Sequence, residues 1–294
     1  MKTGFIGLGN LGIAIAENLL ATQQPLYVFN RTASKAAPFV EKGAVICASV
    51  KDLAAQCDIV FSIVSDDAAL NHITAGLDGI AAHLKPGGIH ISLSTILPET
   101  SVLLHALHQQ SGSHYLACPV MGRPEVARAR KINFLISGDH TSIQSVKPLL
   151  EQAGGVGVWE FGKDVGAANV AKLCSNYLVI TAMEAMAESI NLAQRSNIDA
   201  KFWMDMLTQT YFSAPVYINY SQIIMKEAFL PAAFSLRLGL KDMNLVLQQA
   251  KEVQASMPVG KQVQSLLQQS LAAGLGEHDI TVVAKTIKET EVAS

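Results

Sequence analysis

Short apolar runs alternate with amphipathic stretches through the first part of the chain. The runs at 3–6, 26–29, 44–47, 59–63, 89–94, 115–119, 133–137 and 156–160 predict strands. Helical periodicity fills most of the gaps, for example at 11–21, 34–42 and 98–109. Strand and helix in alternation predict an α/β fold, a Rossmann-type doubly wound, mostly parallel sheet. From Gly166 onward the period is helical almost throughout. Leu240, Met243, Leu247 and Ala250, for instance, fall on one helix face. Turn residues follow the same division, since 16 of the 21 glycines and seven of the ten prolines precede residue 165. The expected organisation is therefore an α/β domain over 1–164 and an all-helical domain over 165–294. No internal repeat or low-complexity tract interrupts it.

Composition narrows the class. The chain has 294 residues, half of them hydrophobic and 16% charged. A bilayer span needs about 20 apolar residues in a row. The most apolar helical stretch, from Gly166 to Met183, is broken by Asn169, Lys172 and Asn176. The apolar excess is thus expected in a core or a subunit interface, as a homodimer or tetramer, and not in a membrane. Membrane-spanning, disordered and coiled-coil classes are excluded. Lysine and arginine number 22 against 24 acids, and neither part carries the basic surplus that nucleic-acid binding requires. Cys47, Cys57, Cys118 and Cys174 form no paired spacing, so neither a metal site nor a disulfide framework is expected. Met1-Lys2-Thr3-Gly4 runs straight into a strand pattern without signal-peptide architecture, and the expected location is cytoplasmic.

The chemistry begins at Gly7-Leu8-Gly9-Asn10-Leu11-Gly12, a G-x-G-x-x-G between an apolar strand and a helix. In that setting the first glycine permits a tight turn. The second lets backbone approach a pyrophosphate, and the third lets helix pack on strand. The helix start offers unpaired N–H groups and a positive dipole end. At the end of the second strand an acid would favour NAD(H) by binding the ribose 2′-hydroxyl. Here Asn30-Arg31-Thr32 follows Phe29. Arg31 suits a 2′-phosphate, with Asn30 and Thr32 as further donors, so NADP(H) is favoured and NAD(H) is the alternative. Val64-Ser65 follow the fourth strand at the edge where a dinucleotide lies in such sheets. They are expected as cofactor contacts, with an ordinary strand end as the alternative. Asp66-Asp67 read as helix N-terminal charge. The eight histidines are scattered without ligand spacing.

A proton donor is the remaining need. Lys172 and Asn176 are four apart at the start of the helical region and share a helix face. The residues alone leave two readings open. Lys172 either snorkels to the surface, or is partly desolvated and trades a proton near neutral pH.

Four blocks bear on that choice. They are the fingerprint from Phe5 to Gly12, Ser94-Thr95 with Pro98, the stretch Gly166 to Asn176, and Phe234 with Lys241-Asp242. With these blocks the chain resembles the β-hydroxyacid dehydrogenase family over nearly its whole length, with Leu11 where methionine is usual. The resemblance implies a Rossmann domain joined to a helical domain by a long helix. It casts Lys172 as general acid/base and Asn176 as a substrate-orienting residue. It places Thr95 beside the nicotinamide ribose, and Phe234 and Lys241 in the block that reaches the cofactor.

One block departs from the family pattern. The substrate loop, commonly D-x-P-V-S-G-G, here reads Ala117-Cys118-Pro119-Val120-Met121-Gly122-Arg123. Gly122 survives, Met121 replaces the serine and Arg123 the last glycine. Methionine offers mostly apolar surface. Arg123 either meets an acidic group or points to solvent. The expected activity is hydride transfer between nicotinamide and a small carbonyl compound or hydroxy acid. The alternatives are an imine reductase, an NAD-linked 3-hydroxyisobutyrate dehydrogenase, and a non-enzymatic dinucleotide sensor or scaffold. The imine reductases usually lack the lysine.

Overall fold

A computed structural model describes residues 1–22 and 25–289 of the chain. The first elements are β1 (Thr3–Ile6), α1 (Asn10–Leu20), β2 (Leu26–Phe29), α2 (Ala33–Val40), β3 (Val45–Ile46), α3 (Val50–Gln56) and β4 (Ile59–Ser62). Then come α4 (Asp67–Thr74), α5 (Ile80–His83), β5 (Ile89–Ser92), α6 (Pro98–Gln110) and β6 (His114–Ala117). The six strands form one sheet in the order β3-β2-β1-β4-β5-β6. All their pairings are parallel, with β1 between β2 and β4. The order reverses at β1/β4, the switch point where doubly wound sheets bind ligands.

Adjacent strand residues explain the two helical layers. Phe5, Val28 and Phe61 pack with Ile15 and Leu19 of α1 in one apolar cluster. Their neighbours Ile6, Tyr27 and Val60 pack with Leu53 and Ala54 of α3 and Ile80 of α5 in another. Successive side chains leave opposite faces of a strand, so a strand apolar at every position needs cover on both sides.

The remaining strands do not join that sheet. β7 (Val120–Met121), β8 (Ile132–Ile136) and β9 (Gly155–Glu160) form a second sheet, with α7 (Pro124–Arg128) and α8 (His140–Gln152) between them. β7 runs antiparallel to β8, and β8 parallel to β9. The single doubly wound sheet read from strand alternation is thus six-stranded, with a three-stranded companion. Periodicity specifies a strand's faces but not which neighbour it pairs with.

The helix α9 (Ala167–Arg195) follows, then α10 (Ala200–Gln209), α11 (Pro215–Met225), α12 (Leu236–Glu252) and α13 (Pro258–Ala272). A short 3₁₀ turn (Ile280–Val282) leads into α14 (Val283–Glu289). The chain divides into two compact units, Met1–Lys172 and Leu173–Ser294. The division falls inside α9, later than the break in glycine density near residue 164. In the second unit α12 buries Leu236, Leu240, Met243, Val246 and Ala250 along one face. No described helix is long and apolar enough to cross a membrane.

Candidate functional site

The fingerprint loop is shaped by two close approaches and one opening. Gly7 has φ +100°, and a Cβ there would lie 2.0 Å from the Ile63 carbonyl oxygen. A Cβ on Gly12 would lie 2.1 Å from the Gly7 carbonyl oxygen. At Gly9 a Cβ would meet nothing within 4 Å. Gly9 is also the N-cap of α1, and no side chain caps that helix start. No acid stands in its first turn. Open space, unspent N–H groups and the helix dipole together fit the pyrophosphate of a dinucleotide. Leu8, Asn10 and Leu11 complete this turn.

Asn30 has a task that the sequence did not suggest. Its Oδ1 accepts the Leu8 N–H at 2.8 Å, and its Nδ2 donates to the Thr32 carbonyl at 2.9 Å. From the position expected to contact phosphate, it thus also orders the fingerprint loop. Arg31 and Thr32 are exposed at the carboxyl end of β2.

The next two strand ends are laced together. The Val64 N–H donates to Ser94 Oγ at 2.9 Å. Ser65 Oγ donates to Asp66 Oδ2 at 2.7 Å, and Asp66 Oδ1 caps α4 through the Ala69 N–H at 2.8 Å. Asp67 does more than complement the helix dipole. Its Oδ1 accepts from the Leu97 N–H at 2.9 Å and from Thr100 Oγ1 at 2.6 Å. Thr95 lies half-buried between these attachments.

Below this edge runs a buried histidine pair that spacing did not reveal. Ser62 Oγ meets His90 Nε2 at 2.8 Å, and His90 Nδ1 meets His108 Nε2 at 3.1 Å. His108 Nδ1 meets Ser113 Oγ at 2.8 Å. Burial holds the His90 ring well below the ordinary histidine range and pushes His108 down to about 4. Both rings are therefore neutral links at physiological pH. No group of metal-ligating residues occurs among the described residues.

The substrate-loop residues sit on β7 and the start of α7. Met121 is half-buried and pairs with Asn133. A Cβ on Gly122 would lie 2.6 Å from Ile132 Cγ2. The Arg123 side chain is only 16% exposed and holds Glu125 Oε1 through Nε at 2.9 Å. It does not extend into solvent.

Lys172 and Asn176 are half-buried, one turn apart on α9. In the second unit, Asn176 Nδ2 donates to Asp242 Oδ2 at 2.6 Å. Asp242 is buried, and its Oδ1 lies 2.6 Å from Lys241 Nζ. Asp242 is thus the hub that orients both Asn176 and Lys241, a role its position in the sequence did not single out. Phe234 is half-buried, with its N–H 3.3 Å from Asp279 Oδ2.

A Rossmann sheet with an open glycine cradle at its switch point is the frame of an NAD(P)-dependent oxidoreductase. Comparison with known proteins agrees. The family described as the NAD binding domain of 6-phosphogluconate dehydrogenase matches residues 2–162. The family described as NAD-binding of NADP-dependent 3-hydroxyisobutyrate dehydrogenase matches residues 166–287. The chain belongs to the β-hydroxyacid dehydrogenase family. It is 36% identical to the uncharacterized oxidoreductase YfjR of Bacillus subtilis (strain 168), covering 98% of this chain and 100% of that one. It is 31% identical to an NAD-dependent L-serine dehydrogenase of Pseudomonas aeruginosa, covering 99% of each. Its fold matches 3-hydroxyisobutyrate dehydrogenase from Salmonella typhimurium with a TM-score of 0.88 at 23% identity, covering 97% of this chain and 99% of that one. It also matches the structure of Psf3 in complex with NADP+ and 2-OPP, with a TM-score of 0.87 at 28% identity and the same coverage.

Proposed function

We propose that the protein is an NADP(H)-preferring reductase of a small carbonyl compound, reversible as a hydroxy-acid dehydrogenase, with Lys172 as general acid/base. The observation that carries this reading is the half-buried Lys172 near the start of α9, one turn before Asn176. The cofactor would be held by the turn from Gly7 to Gly12, by Asn30, Arg31 and Thr32, by the strand ends at Val64, Ser65 and Thr95, and by Phe234 and Lys241. When bound, the nicotinamide supplies the hydride that reduces the carbonyl carbon. Lys172, as an ammonium, gives its proton to the oxygen that becomes the alcohol and takes it back in the reverse direction. Asn176, its amide fixed by Asp242, orients the substrate together with the backbone at Gly122. Met121 would supply apolar surface, and Arg123, beside its partner Glu125, a cation for an acid group on the substrate. Large exposed apolar residues in the second unit, such as Phe202 and Tyr211, support an assembly of at least two copies.

Lys172→Ala should lower kcat by roughly 10²–10⁴-fold with unchanged NADPH affinity. A panel of aldehydes, semialdehydes and cyclic imines with NADPH reads this, and unchanged turnover on the best substrate rejects the lysine's role. Arg31→Ala should weaken NADPH binding by about 10–10²-fold and NADH binding little, since a charged hydrogen bond contributes about 1.5–3 kcal/mol. Equal loss for both coenzymes in a fluorescence titration rejects the 2′-phosphate reading.

A further inference from the structure

The first turn of α6 carries two hydroxyls aimed at different neighbours. Thr100 Oγ1 donates to Asp67 Oδ1 at 2.6 Å, an oxygen that also takes the Leu97 N–H. Ser101 Oγ donates to Asn169 Oδ1 at 2.8 Å. Asp67 opens α4, just beyond β4, whereas Asn169 lies in the first turn of α9, three residues before Lys172. One hydrogen-bonded path therefore runs from the loop after β4, across the start of α6, to the helix that bears the lysine.

The surroundings restrict both ends of the path. Ser94 and Leu97, on either side of Thr95, are each bonded to the loop after β4. The α9 end is held a second time, because Ser137 Oγ donates to the Val165 carbonyl at 2.8 Å and accepts the Ala168 N–H at 3.0 Å. Close packing adds to this, since a Cβ on Gly166 would lie 3.0 Å from Pro98 Cβ. Thr100, Ser101 and Asn169 are all buried. Apolar side chains would fill the same space without the desolvation cost of burying polar groups. What polar pairs add is a fixed distance and angle, which apolar contacts do not impose. Residues three apart lie on neighbouring positions of a helix surface, about 4.5 Å along its axis. Where Asn169 is fixed, the root of the Lys172 side chain is fixed too.

We infer that the first turn of α6 is a strap that positions Lys172 relative to the segment around Thr95, with Asp67, Thr100, Ser101 and Asn169 as positioning residues. The inference rests on Lys172 being the proton donor. A misplacement of about 1 Å can cost as much as 10²-fold in rate, so the strap acts on kcat.

The test uses the full chain with NADPH and the best aldehyde or semialdehyde of the panel. Thr100→Val removes the hydroxyl at nearly constant shape, and Thr100→Ser keeps it. Ser101→Ala with Asn169→Leu removes both partners of the second bond. Ser101 Oγ also meets the buried Tyr115 hydroxyl at 3.3 Å, so this double variant is made in a Tyr115→Phe background, with Tyr115→Phe alone as its reference; none of these buried groups is then left unpaired and the melting temperature stays near that of the reference. Thr100→Val and the double variant should lose about 10–10²-fold in kcat, with NADPH affinity within about threefold and Thr100→Ser within about twofold of the unaltered protein. Acetylation of Lys172 in the cofactor-free protein, followed against pH by mass spectrometry, should shift its midpoint in the same two variants. Unaltered kcat and an unaltered Lys172 profile in both would overturn the strap, as would a kcat loss that merely follows the melting temperature. Lys172→Ala separates the two levels. If it is slow while the strap variants are not, only the strap is wrong; if it turns over normally, the lysine reading falls and the strap with it.

Discussion

The two units arrange their candidate groups in different ways. In the first, what stands open is mainly backbone: the space at Gly9 and the start of α1, which no side chain caps. Side chains such as Asn30, Ser94 and Asp67 serve that backbone by fixing its loops. In the second unit the candidate groups are side chains bonded to one another, Asn176 and Lys241 on the buried carboxylate of Asp242. A backbone site is as rigid as the sheet that carries it. A side-chain cluster is only as rigid as its charge balance, because a buried carboxylate without its cation is costly.

Three experiments probe this contrast, from the largest expected effect to the smallest. Asp242→Ala removes the hub of the second unit. Breaking a buried pair typically costs 3–5 kcal/mol, and the expected loss here is about 3 kcal/mol because the Lys241 side chain keeps some water. Chemical denaturation measures it, and a loss below about 1 kcal/mol would place Asp242 with ordinary surface acids.

In the first unit, Gly12→Ala forces a methyl against the Gly7 carbonyl and should cost about 1–3 kcal/mol of stability. Gly9→Ala meets open space, so it should fold normally yet weaken NADPH binding. Calorimetry of the pair separates a glycine kept for the fold from one kept for the ligand. Equal destabilisation by both would erase the distinction.

The third experiment is acidification. Histidines in the unfolded chain titrate near 6.5, whereas burial pushes His108 down to about 4 and holds His90 low as well. Between those values the unfolded chain binds protons that the folded chain refuses. Stability is therefore full above about pH 6.5 and falls as pH drops towards 4, by at most about 1.4 kcal/mol per pH unit for each ring. Hydrogen exchange at pH 7 and pH 5 should show the loosening around β4, β5 and α6. Loosening confined to α10–α14 would contradict it.

Much of the first unit was legible in the chain. The strand at 3–6, the glycine spacing and the helix after it are local features, and β1 and α1 lie where the pattern puts them. Asp66 was legible as helix charge and is the cap of α4. Asp67, next to it, was read the same way, yet its carboxylate binds a backbone N–H 30 residues later. Asn169 looked like an interruption of an apolar helix and is the partner of Ser101, 68 residues earlier. His90 and His108 are separated by 18 residues and meet because α6 returns along β5. None of these pairs has a spacing that a sequence pattern repeats, since the loops between them set the distance.

Taken alone, the sequence determined what depends on neighbours along the chain. It defined alternating strands and helices, a glycine turn between strand and helix, the absence of an acid after β2, and a lysine and asparagine one turn apart. Backbone sterics and side-chain period act over a few residues, so such features survive translation into pattern. Only the tertiary structure decided which strands share a sheet, that Asn30 ties the end of β2 to the fingerprint loop, and that Arg123 is largely buried against Glu125. It alone joined Asn176 to Lys241 through Asp242 across 66 residues. Those outcomes are fixed by packing and by the need to pair every buried polar group, conditions that exist only once distant segments have met.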